Sequence, residues 1–230
     1  MRLIEFFLSG VCHQFPERCF VYQGQPLPLC ARCMGTFLGA LAALLTLALI
    51  GQGRRSQLPP RRLLLVFGPL VGFWALDGVN SAALLVLERP LLYEPSNTLR
   101  LLTGLGLGVG IGILLYPIYH LALWSRIEDR RVLEEGWPVV LLLLVAALLA
   151  AIILLWQSAP FLLWALLTAA ATGVVLMLAN ALLIVLLSHR EGSAETWRGI
   201  VPYLALGLLA ALVETGSLAL IRQMILGPAI

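Results

Sequence analysis

The sequence predicts an all-α fold, a polytopic membrane helix bundle with about six transmembrane helices. Of its 230 residues, 60% are hydrophobic and only 12% are charged, whereas soluble domains average roughly 45–50% apolar and about 25% charged residues. The charges lie between apolar runs of about 20 residues, the length that crosses the ~30 Å hydrocarbon core of a bilayer. These observations exclude a soluble globular protein.

Charged residues, prolines and glycines divide the chain into six candidate spans. The junction at 157–160 leaves an alternative of five spans, because Pro160 suits either the first turn of a new helix or a kink. We divide the chain into an N-terminal extramembrane Cys/His segment (1–32) and two halves of about three spans each (33–123 and 124–230). The six predicted spans are 33–51, 63–87, 99–123, 138–157, 160–188 and 200–226.

The charge pattern indicates orientation and excludes one class of partner. All 15 basic residues are scattered arginines and the net charge is only +3, so nucleic-acid binding is not expected. Alternate segments hold nine and six arginines, which favours an N-terminus outside the cell inner (plasma) membrane. Residues 1–11 lack the features of a removable signal peptide. Expected partners are membrane lipids, with a homo-oligomer or a membrane complex as further options.

All four cysteines lie within the first 33 residues, so they belong to one local piece of chemistry. Cys30 and Cys33 form a CxxC motif, whose spacing suits a tetrahedral zinc ion or a reversible disulfide. A closed zinc site needs four ligands, and the sequence offers two sets. One consists of Cys12, His13, Cys30 and Cys33, and the other replaces His13 by Cys19. Structural disulfides or inert thiols are the remaining alternative.

A second polar group interrupts the spans that follow. Asp77 lies within span two, and Arg100 lies in the first turn of span three, where the helix dipole disfavours a cation. Arg100 therefore needs an anionic partner, and Asp77, Glu88, Glu94, a lipid phosphate and a bound anion are candidates. We expect Asp77 and Arg100 to be catalytic residues. The cysteine site is expected to lie directly over this pair. Arg32, Asn97 and Thr103 are the expected cofactor-binding residues.

Two features of the spans point to packing and to a buried acid. Glycines recur every second residue from Gly104 to Gly112, so we expect close backbone approach on both faces of span three. Glu214 lies near the middle of span six, where a carboxyl group is a functional candidate unless it is hydrogen-bonded to Asn180 or Thr215.

Three stretches carry a resemblance to a known family. CHQFPER at 12–18, LPLCARCMG at 27–35 and SNTLRLLTG at 96–104, together with Asp77-Gly78, resemble a prokaryotic membrane family catalogued as domain of unknown function 2085. The resemblance covers approximately 10–112 and implies no particular activity. Cys19 stands where the family pattern has serine, which favours the zinc set that includes His13. The positions that the resemblance singles out are Cys12, His13, Gln14, Arg18, Cys30, Arg32, Cys33, Gly35, Asp77, Asn97, Arg100, Thr103 and Gly104.

The leading hypothesis is an integral membrane protein with an outward-facing Cys/His metal site, with zinc as the cofactor, over an Asp77–Arg100 polar pair. Whether it is an enzyme is open at this point; a lipid or anionic headgroup would be the substrate. One rival is a CxxC thiol-disulfide oxidoreductase coupled to quinone. The other is a small-solute or ion transporter, because Asp77, Asn180 and Glu214 lie within spans.

Overall fold

The structure is a computed structural model that describes residues 2–226 and confirms the membrane helix bundle. Six of its helices are long and apolar enough to cross a membrane. Helices dominate because only internal hydrogen bonds can satisfy the backbone in lipid. The helices are α1 (Arg2–Ser9), α2 (Ala31–Leu49), α3 (Arg61–Leu87), α4 (Asn97–Leu123), α5 (Trp137–Leu155), α6 (Phe161–Leu187) and α7 (Trp197–Leu226).

The junction at 157–160 separates two helices, so the count of six spans is confirmed. Helix α5 ends at Leu155 and α6 begins at Phe161. Pro160 takes the N-cap position of α6 with φ −60° and ψ 129°. A proline fits there because its missing N–H would have had no helical partner.

The glycines of α4 pack against two different helices, as the sequence predicts. On one face, a Cβ at Gly104 or Gly108 would overlap the main-chain oxygen of Arg32 or Thr36 in α2. On the other face, Gly106 and Gly110 meet the side chains of α3 rather than its backbone. Helices α2 and α4 therefore share the most extensive contact in the bundle, and their backbones approach closely because the glycines have no side chains.

Helices α6 and α7 form a second group, and α1 packs on α7. Helix α1 was not predicted from the sequence, because its eight residues are too few for a span. Its apolar residues, Leu3, Ile4, Phe7 and Leu8, line a cavity of about 280 Å³ with residues of α6 and α7. The first 32 residues therefore contain a helix that is docked on the bundle.

A β-hairpin covers the end of the bundle where α2, α4 and α6 begin. Strands β1 (Cys19–Tyr22) and β2 (Gln25–Cys30) pair antiparallel. The buried Tyr22 hydroxyl donates a 2.6 Å hydrogen bond to the carbonyl oxygen of Ile153, at the end of α5. At the opposite end of the bundle, β3 (Arg55–Gln57) and β4 (Glu128–Arg131) form a short parallel pair. The hairpin therefore fixes Cys30 at the start of α2.

Candidate metal centre and polar cluster

Three cysteine side chains converge where the hairpin meets α2. The sulfur atoms of Cys12, Cys30 and Cys33 all lie within 4.8 Å of one another. Thiolates that bind one tetrahedral zinc ion at about 2.3 Å lie about 3.8 Å apart, so the spacing accommodates a metal ion with little adjustment. All four cysteines of the chain are free thiols. The three grouped residues could hold a metal ion.

Two helix ends and one turn place these sulfur atoms. Cys30 is the N-cap residue of α2 and Cys33 lies in its first turn, where the positive end of the helix dipole favours thiolates. Cys12 follows α1, and its N–H donates to the carbonyl oxygen of Leu8 at 3.0 Å. The Cys30 N–H then donates to the Cys12 Sγ at 3.2 Å, which fixes one sulfur relative to the CxxC motif.

The thiols differ in acidity because of their neighbours. Hydrogen bonds from the Cys12 and Cys33 side chains lower the pKa of Cys30 well below its ordinary value. Burial, followed by the nearby charges of Cys12 and Cys30, raises the pKa of Cys19 to about 12. Cys30 is therefore the readiest thiolate of the group, and Cys19 stays protonated.

His13 and Cys19 lie outside the thiol group, so the place of either residue in a four-ligand set stays a prediction. The His13 side chain is exposed and its ring stacks on Phe15 with centroids 5.8 Å apart. Cys19 lies opposite Cys30 in the hairpin, but its thiol donates to the carbonyl oxygen of Phe15 at 3.2 Å. Adjacent residues project in different directions, so Cys12 and His13 do not reach the same point. Within residues 2–226 the group consists of three cysteines.

Arg222 of α7 holds the Cys12–His13 segment from the other group of helices. Its guanidinium donates to the carbonyl oxygens of Ser9, Cys12 and His13 at 3.4, 3.3 and 2.5 Å. These carbonyls follow the C-terminus of α1, where a cation is favourable. This contact could not be predicted from the sequence, because no local pattern links residue 222 to residue 12.

Asp77 pairs with Arg32 rather than with Arg100, which corrects the expected Asp77–Arg100 pair. Arg32 Nε donates to Asp77 Oδ2 at 3.0 Å, and its Nη2 also binds that oxygen. Tyr93 donates its hydroxyl proton to Asp77 Oδ1 at 2.8 Å. Both oxygens of this fully buried carboxylate are therefore engaged. Arg32 lies in the first turn of α2, where the helix dipole disfavours a cation just as it does for Arg100 in α4. The Asp77 carboxylate offsets this for Arg32.

Three guanidinium groups meet around Ser81 of α3. Arg32 donates to the Ser81 Oγ at 3.0 Å and Arg100 to the same oxygen at 3.5 Å, while Arg18 donates to its carbonyl oxygen at 2.9 Å. The ion pair with Asp77 is the one salt bridge that the described residues contain. The cluster thus carries three positive charges against one negative charge.

Arg100 remains without an anionic partner in the part of the chain that the structure describes. It is only 5% exposed, and its Nη1 donates to Asn97 Oδ1 at 2.9 Å. Its buried Nε has no hydrogen-bond partner within 2–226. A buried guanidinium without an anion is costly, so the cluster has capacity to bind one.

Asn97 and Thr103, the remaining expected cofactor-binding residues, form contacts within the fold. Asn97 donates to the carbonyl oxygens of Glu17 and Cys19, both at 3.2 Å. This joins α4 to the hairpin and so to the thiols. Thr103 donates to the carbonyl oxygen of Leu99, one turn earlier in its own helix. Their cofactor-binding role stays a prediction.

Ser81, Asn80 and Tyr93 complete the cluster and were not singled out as site residues. Asn80 accepts the N–H groups of Leu91 and Leu92 at 2.9 Å and donates to the Tyr93 carbonyl at 2.8 Å. It thereby holds the loop that carries Tyr93. Positions 77, 80 and 81 share a helix face, and this spacing of polar residues in an apolar span was the available signal. Tyr93 gave no comparable signal.

An apolar groove adjoins the cluster between α3 and α4. It has a volume of about 470 Å³, and its lining includes Leu70, Phe73, Leu102, Thr103 and Tyr93. Because Tyr93 also binds Asp77, one residue connects the groove to the buried carboxylate. The groove can therefore accommodate an apolar chain close to the polar cluster.

Glu214 lies apart from this cluster. Its side chain is exposed on α7, and Asn180 of α6 donates to its Oε2 at 3.1 Å. Asn180 is one of the two hydrogen-bond partners that were predicted for Glu214 from the sequence. Glu214 thus shares no contact with the thiols or the arginines.

Comparisons with known proteins assign the first half of the chain to a family. The model of a family described as "Predicted membrane protein (DUF2085)" matches residues 12–116. An uncharacterised protein of Methanothermobacter thermautotrophicus is 34% identical over 114 residues, which cover 49% of this chain and 91% of the relative. An uncharacterised protein of Methanocaldococcus jannaschii is 27% identical over 120 residues, 52% of this chain and 70% of that protein. No solved structure matches the chain significantly.

Proposed function

The chain belongs to the DUF2085 family of membrane proteins, and we propose that its family-matched half holds a zinc ion on Cys12, Cys30 and Cys33 beside an arginine cluster that binds an anionic lipid headgroup. The observation that carries the proposal is the convergence of three sulfur atoms within 4.8 Å. Thiolates are soft ligands that select zinc, copper(I) and iron–sulfur clusters over magnesium or calcium.

Three protein ligands leave the fourth position of a tetrahedral zinc ion open. Structural zinc sites usually have four protein ligands, whereas catalytic sites have three and bind water or substrate at the fourth position. Zinc would act as a Lewis acid on an oxygen of a substrate that binds at this fourth position. The three-ligand set therefore supports a reactive centre more than a purely structural one, and His13 is the ligand that we no longer include.

The arginine cluster supplies the charge for an anionic headgroup. Three bound thiolates and Zn²⁺ carry a net charge of −1, and the cluster of Arg18, Arg32 and Arg100 around Asp77 carries +2. Arg100 is the residue with unused hydrogen-bonding capacity, so it is assigned to the headgroup. Asp77 orients Arg32, because both of its oxygens already accept hydrogen bonds. The neighbouring groove would take an acyl chain.

The site is proposed to face the outside of the inner (plasma) membrane. The end of the bundle that holds the cysteines carries six of the 15 arginines. Three of those six, Arg18, Arg32 and Arg100, are engaged in the polar cluster. When these three are left out, the opposite end has nine arginines against three, a larger excess than nine against six. The arginine-rich end of a membrane protein lies in the cytoplasm.

Elemental analysis of the purified full chain tests the zinc proposal. We expect one zinc per chain in the wild-type protein and its loss in Cys30→Ser. Cys19→Ser is the matched control, because Cys19 is a buried cysteine of the same hairpin outside the thiol group, and it should keep the metal. Absence of metal together with a reducible Cys30–Cys33 disulfide would refute the proposal and favour the oxidoreductase alternative.

A further inference from the structure

A second cavity lies at the end of the bundle opposite the thiol group. It has a volume of about 450 Å³, within the range of about 300–1,000 Å³ that is usual for small-molecule sites. Residues of α2, α4, α6 and α7 line it, among them Leu44, His120, Leu178 and Leu204. The cavity is therefore located where the two groups of helices meet, and the proposed function makes no use of it.

One wall of the cavity is built from a cation stacked on an aromatic ring. The guanidinium carbon of Arg54 lies 3.6 Å from the centroid of the Trp124 ring, and Trp197 packs edge-on against the same indole at 5.0 Å. The hydrogen bond that Arg54 donates, to the carbonyl oxygen of Arg126, is long at 3.5 Å. Within residues 2–226 no carboxylate lies close enough to Arg54 to form a salt bridge. Its charge is thus available to a ligand.

Two further groups in this cavity lack hydrogen-bond partners. Trp124 is 2% exposed, and its indole Nε1 donates to no acceptor in the described part of the chain. The buried Nδ1 of His120 is likewise unpaired there. Buried polar groups are almost always hydrogen-bonded, so an exception of this kind points to a bound partner. Arg54 and Trp124 offer only donors, so the partner that they require is an acceptor.

The residues around the cavity indicate the charge and the polarity of its ligand. Segments 50–62, 124–136 and 188–198 at this end hold nine arginines against six acidic residues, a surplus of three positive charges. The remaining walls are largely aliphatic, and Trp197 at the rim is 63% exposed. Basic pockets between transmembrane helices bind the headgroups of anionic lipids. An anionic head and an apolar body together describe an amphiphile.

We propose that this cavity binds the phosphate group of an anionic phospholipid, with Arg54 as the charge partner and Trp124 Nε1 as a hydrogen-bond donor. The phosphodiester oxygens accept both contacts, and the acyl chains continue along the aliphatic wall formed by α2, α6 and α7. The site is separate from the thiol group, so it does not depend on the proposed zinc centre. A soluble phosphate ester would present the same oxygens without the apolar body.

Native mass spectrometry of the full chain in detergent tests this assignment with phosphatidylglycerol, phosphatidylcholine and inorganic phosphate as separate probes. We expect one phosphatidylglycerol to be retained at least tenfold more strongly than phosphatidylcholine. Arg54→Ala should lose this one bound phosphatidylglycerol, whereas Arg62→Ala should keep it, because Arg62 is an exposed arginine at the same end of the bundle outside the cavity. A lipid at the Arg100 cluster would survive both substitutions.

A second variant separates a binding defect from a folding defect. Trp124→Phe keeps the aromatic wall and removes the unpaired indole N–H. We expect it to weaken retention of phosphatidylglycerol without lowering the unfolding temperature of the lipid-free protein. Binding of inorganic phosphate without a preference for phosphatidylglycerol would overturn the lipid assignment in favour of a soluble phosphate. Equal lipid retention by Arg54→Ala and the wild-type protein would overturn the site itself.

Discussion

The two halves of the chain are built differently, although both consist of membrane-spanning helices. In the first half, 44% of the apolar core of α2 and 56% of that of α4 are buried, whereas α3 has only 17% buried, and glycines bring the α4 backbone against α2. In the second half, the buried share is 22% in α5 and α7 and 33% in α6, so no span there is as buried as α2 or α4. The first half also contains the thiols and the ion-paired carboxylate Asp77. The second half contains the exposed carboxylate Glu214.

The difference shows that the thiols and the buried ion pair lie in the half whose helices α2 and α4 pack most closely. A buried ion pair in the membrane region is maintained only where its charges are fully partnered, and the close contact of α2 and α4 provides such a setting. The archaeal relatives support this view, since 91% of one of them aligns with about half of this chain. Helices α5–α7 lie outside the family match at 12–116. Of these helices, α7 contacts the main chain of Cys12 through Arg222.

The largest expected effect comes from the Asp77 carboxylate. Asp77→Asn removes the anionic partner of the partly buried Arg32, which should lower the free energy of unfolding by up to about 3–5 kcal/mol, the cost of breaking a fully buried pair. Thermal unfolding of the detergent-solubilised protein measures the loss. The double variant with Arg32→Gln should be more stable than Asp77→Asn alone, because it removes the unpaired charge. An unchanged unfolding temperature in Asp77→Asn would mean that the pair does not hold the first half together.

An intermediate effect is expected from the glycine contact. Gly108→Ala places a methyl group on the Thr36 carbonyl oxygen, and such overpacking costs about 1–3 kcal/mol. Gly173→Ala in α6 is the matched control, because a Cβ there meets no atom within 4 Å. The same thermal measurement compares them. Equal stability of the two variants would contradict the close approach of α2 and α4.

The smallest effect is expected at Glu214. Glu214→Gln has the same shape and keeps an oxygen that can accept the Asn180 hydrogen bond, so we expect stability to change by no more than about 0.5 kcal/mol. Zinc content should also stay at the wild-type value. A loss as large as that of Asp77→Asn would show that the second half has an essential polar centre of its own.

Much of the fold follows from the sequence, because apolar runs in a membrane have to be helices. Helix α1 escaped prediction since its eight residues give no span signal, although it docks on α6 and α7. The CxxC motif located the thiol group, and Cys12 was assigned to it. His13 was assigned on its ligand type and on the family resemblance, whereas the direction of its side chain depends on the turn that follows α1.

The pairing of Asp77 could not be read from the sequence for a related reason. Arg32 and Arg100 both occupy the first turn of a helix at the same end of the bundle. Which of them reaches Asp77 depends on the rotation of α2 and α4 relative to α3, and glycine packing sets that rotation. Tyr93 reaches the carboxylate from a loop that Asn80 holds, and such long-range contacts leave no local pattern.

X-ray absorption at the zinc edge tests the central claim most directly, because it counts the ligands of the bound ion. We expect three sulfur atoms at about 2.3 Å and one lighter atom at about 2.0–2.1 Å. The lighter atom should persist in His13→Ala, since the structure leaves His13 outside the thiol group. A shell of four sulfur atoms, or one with no sulfur, would contradict a three-cysteine centre with an open position.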